Sequence, residues 1–106
     1  MSDEAARGEF LTQLGWEVEP HEFMEVMIPR EFDDIYSEYN ELQKSQGMDL
    51  TKYRGKRAMH YTYKVKNHPS GEDSVVLNLL VYKNKLIGGD VCSTKADGFM
   101  HGLAMP

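Results

Sequence analysis

The sequence predicts an α+β domain with two helices packed on one face of an antiparallel sheet. Two segments carry apolar residues at helical spacing, and the second half of the chain holds alternating segments separated by short turns. The predicted order is an N-terminal helix, a short strand, a second amphipathic helix and a three-stranded antiparallel meander. The chain has 106 residues, 41% hydrophobic and 27% charged, which is enough for one core. Residues 1–106 are therefore expected to form a single domain.

The first helix is predicted from about Asp3 to Leu14. Asp3 or Ser2 suits the N-cap, because the side-chain oxygen of either can accept hydrogen bonds from the free N–H groups of the first turn. Phe10, Leu11 and Leu14 lie on one face at helical spacing. Gly15 can adopt the left-handed conformation that ends a helix.

A short strand is predicted to begin at Trp16, where apolar and acidic residues alternate. Pro20 should interrupt it, since proline cannot donate to a sheet ladder. Residues 24–28 alternate again, which predicts either a second short strand or an extended arm.

The second helix is the clearest element of the first half. Pro29 fits at or just before its first turn, and Asp33 and Asp34 place negative charge at the positive end of the helix dipole. Gly47 is the expected stop. Apolar and aromatic residues recur at helical spacing and predict a face directed at the core: Phe32, Ile35, Tyr36, Tyr39 and Leu42.

Three strands are predicted in the second half. The first runs from about Arg57 to Lys66, and its side chains are expected to alternate between two faces. The inward ones are Met59, Tyr61, Tyr63 and Val65, and those in water are Ala58, His60, Thr62, Lys64 and Lys66. Ser74 to Tyr82 is apolar on both sides, which predicts the central strand of the sheet. Lys83-Asn84 is a predicted turn, and Lys85 to Ser93 is the last strand.

The motifs of several enzyme classes are absent from the sequence. It has no Gly-rich phosphate loop, no Gly-x-Ser-x-Gly, no His-Glu-x-x-His and no Cys-x-x-Cys. Its one cysteine allows no disulfide framework. These absences favour a non-enzymatic role without deciding it, and no cofactor is indicated.

One segment near the C-terminus holds the candidate ligand residues. The adjacent glycines 88 and 89 predict either a bulge that directs Asp90 into a site or a strand packed closely under a neighbouring element. Asp90, Cys92, Asp97 and His101 together form a possible ligand or structural site. Their spacing matches no known metal-ligand pattern, so the residues alone assign no metal, and His101 also fits a packed or capping role.

Charge and hydropathy limit the classes of partner. The formal net charge is −5, which argues against nucleic acid as a partner. No apolar run is long enough for a membrane helix, and residues 1–6 lack the features of a signal peptide. The sequence leaves two locations open: the cytoplasm, or outside the membrane if an anchor precedes this chain.

Several segments together resemble a family of small uncharacterised bacterial proteins, found mainly in Gram-positive anaerobes. The resemblance extends from about Glu9 to Leu103 and is carried by these segments: Gly15-Trp16-Glu17-Val18, Ile28-Pro29-Arg30-Glu31-Phe32, Tyr39-Asn40-Glu41-Leu42-Gln43, Tyr53-Arg54-Gly55-Lys56, Ile87-Gly88-Gly89-Asp90-Val91 and Asp97-Gly98-Phe99-Met100-His101-Gly102. Members of this family are often membrane-anchored or lipoproteins. The family has no assigned activity, so the resemblance implies an envelope location and no catalytic residue.

Two functional hypotheses follow from the sequence. The first is a non-enzymatic binding module at the bacterial cell envelope, which takes a protein or peptide partner through an exposed edge of its sheet. The alternative is a small-molecule or metal-binding protein that uses Asp90, Cys92 and His101. The sequence does not indicate the oligomeric state.

Overall fold

The computed structural model describes all 106 residues and has the predicted α+β class. Two helices accompany one five-stranded antiparallel sheet, whose strands follow one another in chain order from β1 to β5. The elements are α1 (Glu4–Gln13), β1 (Val18–Met27), α2 (Asp34–Ser45), a 3-10 helix (Leu50–Tyr53), β2 (Arg57–Val65), β3 (Val75–Tyr82), β4 (Lys85–Ser93) and β5 (Met100–His101).

The sheet is larger than the predicted three-stranded meander. β1 is one continuous strand of ten residues rather than a short strand followed by a second short strand or an arm. It pairs with β2 along its whole length, and a register shift between Pro20 and Glu22 accommodates the proline. A bulge at an edge strand is one of the few places in a sheet where proline fits. A two-residue strand, Met100–His101, adds to β4 on the other side.

β3 occupies the predicted central position. It pairs with β2 on one side and with β4 on the other. Lys83 and Asn84 form the predicted turn into β4, and both have positive φ, as a two-residue hairpin loop requires. The expectation for Ser74 to Tyr82 is therefore confirmed.

The two helices lie on opposite faces of the sheet, so the prediction that they share one face is wrong. Leu11 of α1 packs in a cluster with Leu77 and Leu79 of β3. Leu80, the next residue of β3, belongs to a second cluster with Leu50, and Tyr39 of α2 packs against that cluster. Successive side chains of a strand point to opposite faces, so the central strand needs a cover on each side. The apolar residues on both faces of β3 are therefore the physical reason that one helix packs on each side of the sheet.

The cover on the α2 face also changes the burial of β2. The sequence predicts Ala58 and Thr62 in water, but both are buried beneath the elements on that side. The predicted alternation of the β2 side chains between the two faces is correct, but the sequence does not indicate that a layer covers the second face. Lys64, farther along the same strand, is exposed as expected.

Helix α2 begins later than Pro29 because Asp33 caps it. The Asp33 carboxylate accepts a 2.8 Å hydrogen bond from the Tyr36 amide, so the helix starts at Asp34. Asp3 caps α1 in the same way, as predicted. Neither helix has the length and apolar character needed to cross a bilayer.

The two predicted features lie side by side at the adjacent glycines of β4. The register shifts between Gly88, which is opposite Leu80, and Leu86, which is opposite Val81, so the bulge lies at Ile87, next to the glycines. At Gly89 an added Cβ would lie 2.8 Å from the Asn78 carbonyl oxygen and 2.9 Å from Leu103. The backbone is thus packed too closely for any side chain at this position.

Candidate functional site

The first candidate surface is the free edge of β1. This strand has no neighbour on its outer side, and nearly all its residues are exposed. Phe23 is 71% exposed and packs only loosely on Tyr61 of β2, with ring centroids 6.2 Å apart. Met24 and Met27 are also exposed. A long edge strand with exposed apolar side chains is uncommon in a monomeric protein, because it invites pairing with another chain.

A cleft of about 410 Å³ opens beside this edge, between β1 and the first turn of α1. Arg7 of α1 lies at its wall and is only 6% exposed. Its guanidinium lies 3.5 Å from the centre of the Tyr61 ring and donates 2.9 Å to the Tyr63 hydroxyl. Glu4 and Glu22 also line the cleft. We call it the Arg7 cleft.

The second candidate site lies on the α2 face, where polar side chains form a row across the sheet. Thr62, Asn78 and Asp90 stand opposite one another on β2, β3 and β4. Directly paired residues of neighbouring strands share a face. The Thr62 hydroxyl donates to Asn78 Oδ1 at 3.0 Å, and Asn78 Nδ2 donates to Asp90 Oδ2 at 3.2 Å. His60 Nε2 lies 2.8 Å from the same Asn78 oxygen.

Asp90 is the buried end of this row, with 2% of its surface exposed. Tyr39 of α2 donates a 2.7 Å hydrogen bond to Asp90 Oδ1. No lysine or arginine nitrogen lies within 4 Å of the Asp90 carboxylate. Burial and the nearby Asp90 charge raise the pKa of the Tyr39 hydroxyl above its usual range. The carboxylate is thus held by neutral donors and has no cation beside it.

A cleft of about 310 Å³ opens over this network between α2 and the sheet. Polar and apolar side chains both line it, chiefly Val26, Tyr36, Tyr39, His60, Leu80 and Asp90. Small-ligand pockets have this mixture of a few convergent polar groups in an apolar wall. We call it the Asp90 cleft.

Cys92 lies on the same face as Asp90, two residues along β4. Asn78 Nδ2 is 3.9 Å from its sulfur. Burial, followed by the charge of Asp90, raises the pKa of the Cys92 thiol to about 11. The thiol is therefore protonated at neutral pH, whereas a nucleophilic cysteine has a lowered pKa.

His101 and Asp97 lie away from Asp90 and Cys92. His101 pairs with Val91, whose side chain belongs to the core cluster of the α1 face. His101 thus lies on the opposite face of the sheet from Asp90. Asp97 is exposed in the turn that joins β4 to β5. The structure brings Asp90 and Cys92 together, but the four predicted residues do not converge on one site.

His101 instead contacts a second histidine. Its Nε2 lies 2.9 Å from His68 Nε2, and Trp16 and Phe99 stack on both imidazole rings. His101 Nδ1 donates to the Gly102 carbonyl at 2.7 Å, which leaves its Nε2 as the acceptor. The Ser70 amide donates to His68 Nδ1 at 3.1 Å, so His68 Nε2 carries the shared proton. This is a neutral histidine pair with a defined tautomer at each ring.

The structure contains no group of three or more His, Cys, Asp or Glu side chains placed to hold a metal ion. The pair of histidines and the Asp90–Cys92 pair each fall short of a usual metal-ligand set.

Sequence reasoning missed Tyr39 and Asn78 as site residues, and it considered His60 only as a base for Cys92. The helical stripe assigns Tyr39 to a core face, and the strand alternation assigns His60 to solvent. A lone Asn in an otherwise apolar central strand is the signal that points to the row, because a buried amide needs hydrogen-bond partners on the neighbouring strands.

Comparison with known proteins places the chain in a family. No curated protein and no solved structure matches it. Residues 10–91 match the profile of a family described as Domain of unknown function (DUF4830). This match confirms the resemblance to an uncharacterised family, and the chain belongs to the DUF4830 family.

Proposed function

We propose that this protein is a binding module that takes an extended segment of a partner protein as an additional strand beside β1. The observation that carries the proposal is the ten-residue free edge of β1. In strand addition, main-chain hydrogen bonds supply affinity and pockets for alternate side chains supply specificity. Both parts of this arrangement can be located on β1.

The direction of the β1 backbone groups follows from the hydrogen bonds at its end. Ile28 bonds toward the β2 side: its amide donates to the Lys56 carbonyl at 2.9 Å, and its carbonyl accepts from Gly55 at 2.8 Å. Inward and outward backbone groups alternate along an antiparallel strand. The amides and carbonyls of Phe23, Glu25 and Met27 therefore point away from the sheet and are free to bond a partner.

The charge of β1 defines the chemistry of the partner. The strand carries Glu19, Glu22 and Glu25 and no lysine or arginine. Glu19 and Glu25 pair with Lys66 and Arg57 at 3.1 and 3.2 Å, but these pairs are exposed and exchange easily with other cations. Glu22 has no cation partner. We expect the added segment to carry basic residues.

Apolar anchors should alternate with those basic residues. Phe23 offers an exposed ring on the α1 face, next to the Arg7 cleft. Met24 offers an exposed side chain on the α2 face. The bulge at Pro20 disrupts the first part of the edge, and bulges protect edges from pairing. The docking segment is therefore Glu22 to Met27.

The test uses synthetic peptides of about eight residues in which Lys or Arg alternates with Leu, Val or Phe. We expect saturable binding by fluorescence anisotropy, with backbone NMR shifts concentrated in β1. Glu25→Pro removes the outward-pointing amide, which an edge strand tolerates. It should weaken binding about tenfold or more, equivalent to about 1.4 kcal/mol.

Glu25→Ala is the matched control, because it removes the same side chain and keeps the amide. We expect it to weaken binding less than Glu25→Pro does. Equal binding by the two variants would contradict strand addition. If the protein instead dimerises without peptide and Glu25→Pro makes it monomeric, the partner is a second copy and the basic-peptide proposal is wrong.

The envelope location is a separate part of the proposal and rests on the family resemblance alone. Fractionation of the source cells, followed by detection of the native protein with an antibody, tests it. Recovery in the membrane or wall fraction supports the location, and recovery in the cytosol alone refutes it.

A further inference from the structure

We propose that the Asp90 cleft binds a small protonated alkylamine, whose ammonium group pairs with the Asp90 carboxylate against the rings of Tyr36 and Tyr39. This site lies on the α2 face of the sheet, and Val26 of β1 forms part of its floor. The inference rests on the Asp90 carboxylate and the tyrosine rings and not on the free edge of β1, so it can hold or fail independently of the strand-addition proposal.

The unpaired charge of Asp90 is the first argument. The side chain is 2% exposed and receives hydrogen bonds from the Tyr39 hydroxyl and the Asn78 amide. Both donors are neutral, and no lysine or arginine nitrogen reaches the carboxylate within 4 Å. An ionised carboxylate buried without a cation is costly. A cationic ligand in the adjoining cleft would offset that cost, whereas an anion would add to it.

The polar walls of the cleft present acceptors to a ligand. Asn78 Nδ2 donates to Asp90, so Asn78 Oδ1 is the atom that faces His60. This oxygen accepts from His60 Nε2 and from the Thr62 hydroxyl, so the Asp90 carboxylate is the charged acceptor among the lining residues. A primary ammonium has three N–H donors and no acceptor, which complements a carboxylate.

The aromatic wall also favours a cation. The rings of Tyr36 and Tyr39 have centroids 5.9 Å apart, and Phe32 extends the row, 4.6 Å from Tyr36. A cation over such a ring face is attracted by the ring quadrupole. The outer end of the row already holds one, since the Arg54 guanidinium lies 4.8 Å from the centre of the Phe32 ring. The inner end faces the cleft and has no cation of its own.

The volume and the apolar floor of the cleft indicate the size and character of the remainder of the ligand. Its volume of about 310 Å³ is near the lower limit of small-molecule pockets. Val26 and Leu80 provide an apolar floor for a short alkyl chain. Because too few metal-ligating side chains converge here, an organic cation fits the cleft better than a metal ion does.

The test compares three probes of similar shape: n-butylamine hydrochloride, 1-butanol and sodium butyrate, each titrated at constant ionic strength. We expect only the amine to give saturable NMR shifts at His60 and Asn78 and to raise the melting temperature. Asp90→Asn should lower the amine affinity about tenfold or more. Asp97→Asn removes an exposed acid of the same chain and should leave the affinity unchanged.

A second variant keeps the test decisive if Asp90→Asn does not fold. Tyr36→Leu leaves the Tyr39–Asp90 hydrogen bond in place and removes one aromatic face. We expect it to weaken amine binding several-fold without producing saturable binding of 1-butanol. Equal binding of butylamine and butanol, no amine binding at all, or full binding by a folded Asp90→Asn variant would overturn the proposal.

Discussion

The Tyr39 hydroxyl donates a 2.7 Å hydrogen bond to the carboxylate of Asp90, and this contact joins the middle of α2 to β4. The two residues are 51 positions apart in the chain. Since Asp90 is buried and has no cation, its hydrogen bonds are the only compensation for its lost hydration. Together with the 2.8 Å hydrogen bond from the Gly89 amide to Gln43 Oε1, the contact holds α2 over the sheet, and both Tyr39 and Asp90 line the Asp90 cleft.

Tyr39→Phe tests the contribution of this hydrogen bond to stability. The variant keeps the ring and leaves a buried carboxylate oxygen without its shortest donor. We expect the free energy of unfolding to fall by about 1–3 kcal/mol, measured by urea denaturation. Tyr36→Phe is the control, since the Tyr36 hydroxyl makes no hydrogen bond to the protein, and it should change stability by no more than about 0.5 kcal/mol. Similar losses in both variants would contradict this role for the Tyr39 hydroxyl.

The reactivity of Cys92 provides a second test of the Asp90 charge. Burial, followed by that charge, raises the pKa of the thiol to about 11, so alkylation by iodoacetamide in the native state should be slow at pH 8. Asp90→Asn removes the charge and should lower the thiol pKa, which increases the rate at a given pH. Asp97→Asn should leave the rate unchanged. An unchanged rate in folded Asp90→Asn would show that burial alone controls the thiol.

Local signals in the sequence predict most individual elements. Asp3 caps α1 as expected, the Lys83-Asn84 turn lies where predicted, and β3 is central. Each depends on residues adjacent in the chain, whose backbone preferences are intrinsic. Even the close packing at Gly89 could be anticipated, because glycine weakens a strand and is kept there chiefly where a bulge or a close neighbour requires it.

The relative placement of the layers could not be predicted in the same way. Leu79 and Leu80 show that both faces of β3 are apolar, but their positions in the sequence do not indicate which helix covers which face. The Asp90 network likewise depends on Tyr39, which reaches it only after α2 has docked. Its hydrogen bond spans 51 residues, and no local pattern encodes such a pair.

The glycines of α1 and β4 make a matched stability test. Gly89→Ala would place a Cβ 2.8 Å from the Asn78 carbonyl oxygen. Because a backbone atom of the neighbouring strand cannot move away easily, we expect the free energy of unfolding to fall by about 1–3 kcal/mol. Gly8 lies inside α1 with nothing within 4 Å of an added Cβ. Gly8→Ala should therefore raise stability by about 0.5–1 kcal/mol, since alanine is the better helix former. Stabilisation by both substitutions would contradict the close packing at Gly89.

The histidine pair predicts a loss of stability between neutral and mildly acidic pH. Burial, followed by the proximity of His101, lowers the pKa of His68 below its usual 6.5. Between the lowered pKa and 6.5 the unfolded chain binds more protons at this residue than the folded protein does. The contribution of His68 is therefore complete above about pH 6.5 and is lost as the pH falls toward the lowered value. Protonation would also place a hydrogen on His68 Nδ1, the atom that accepts from the Ser70 amide at 3.1 Å.

His68→Gln isolates this effect, because it can keep an N–H donor toward His101 and removes the titrating ring. We expect its urea midpoint to depend less on pH than that of the unsubstituted protein between about pH 5 and 7.5. His21→Gln, which alters an exposed histidine on β1, should retain the full dependence. Hydrogen bonds to their carboxylates are the chief reason that the pKa values of Asp49 and Glu72 are lowered. Protonation of these two carboxylates destabilises the fold, but it occurs only at lower pH. A pH dependence in His68→Gln as steep as in the His21→Gln control would therefore assign the transition to groups other than this pair.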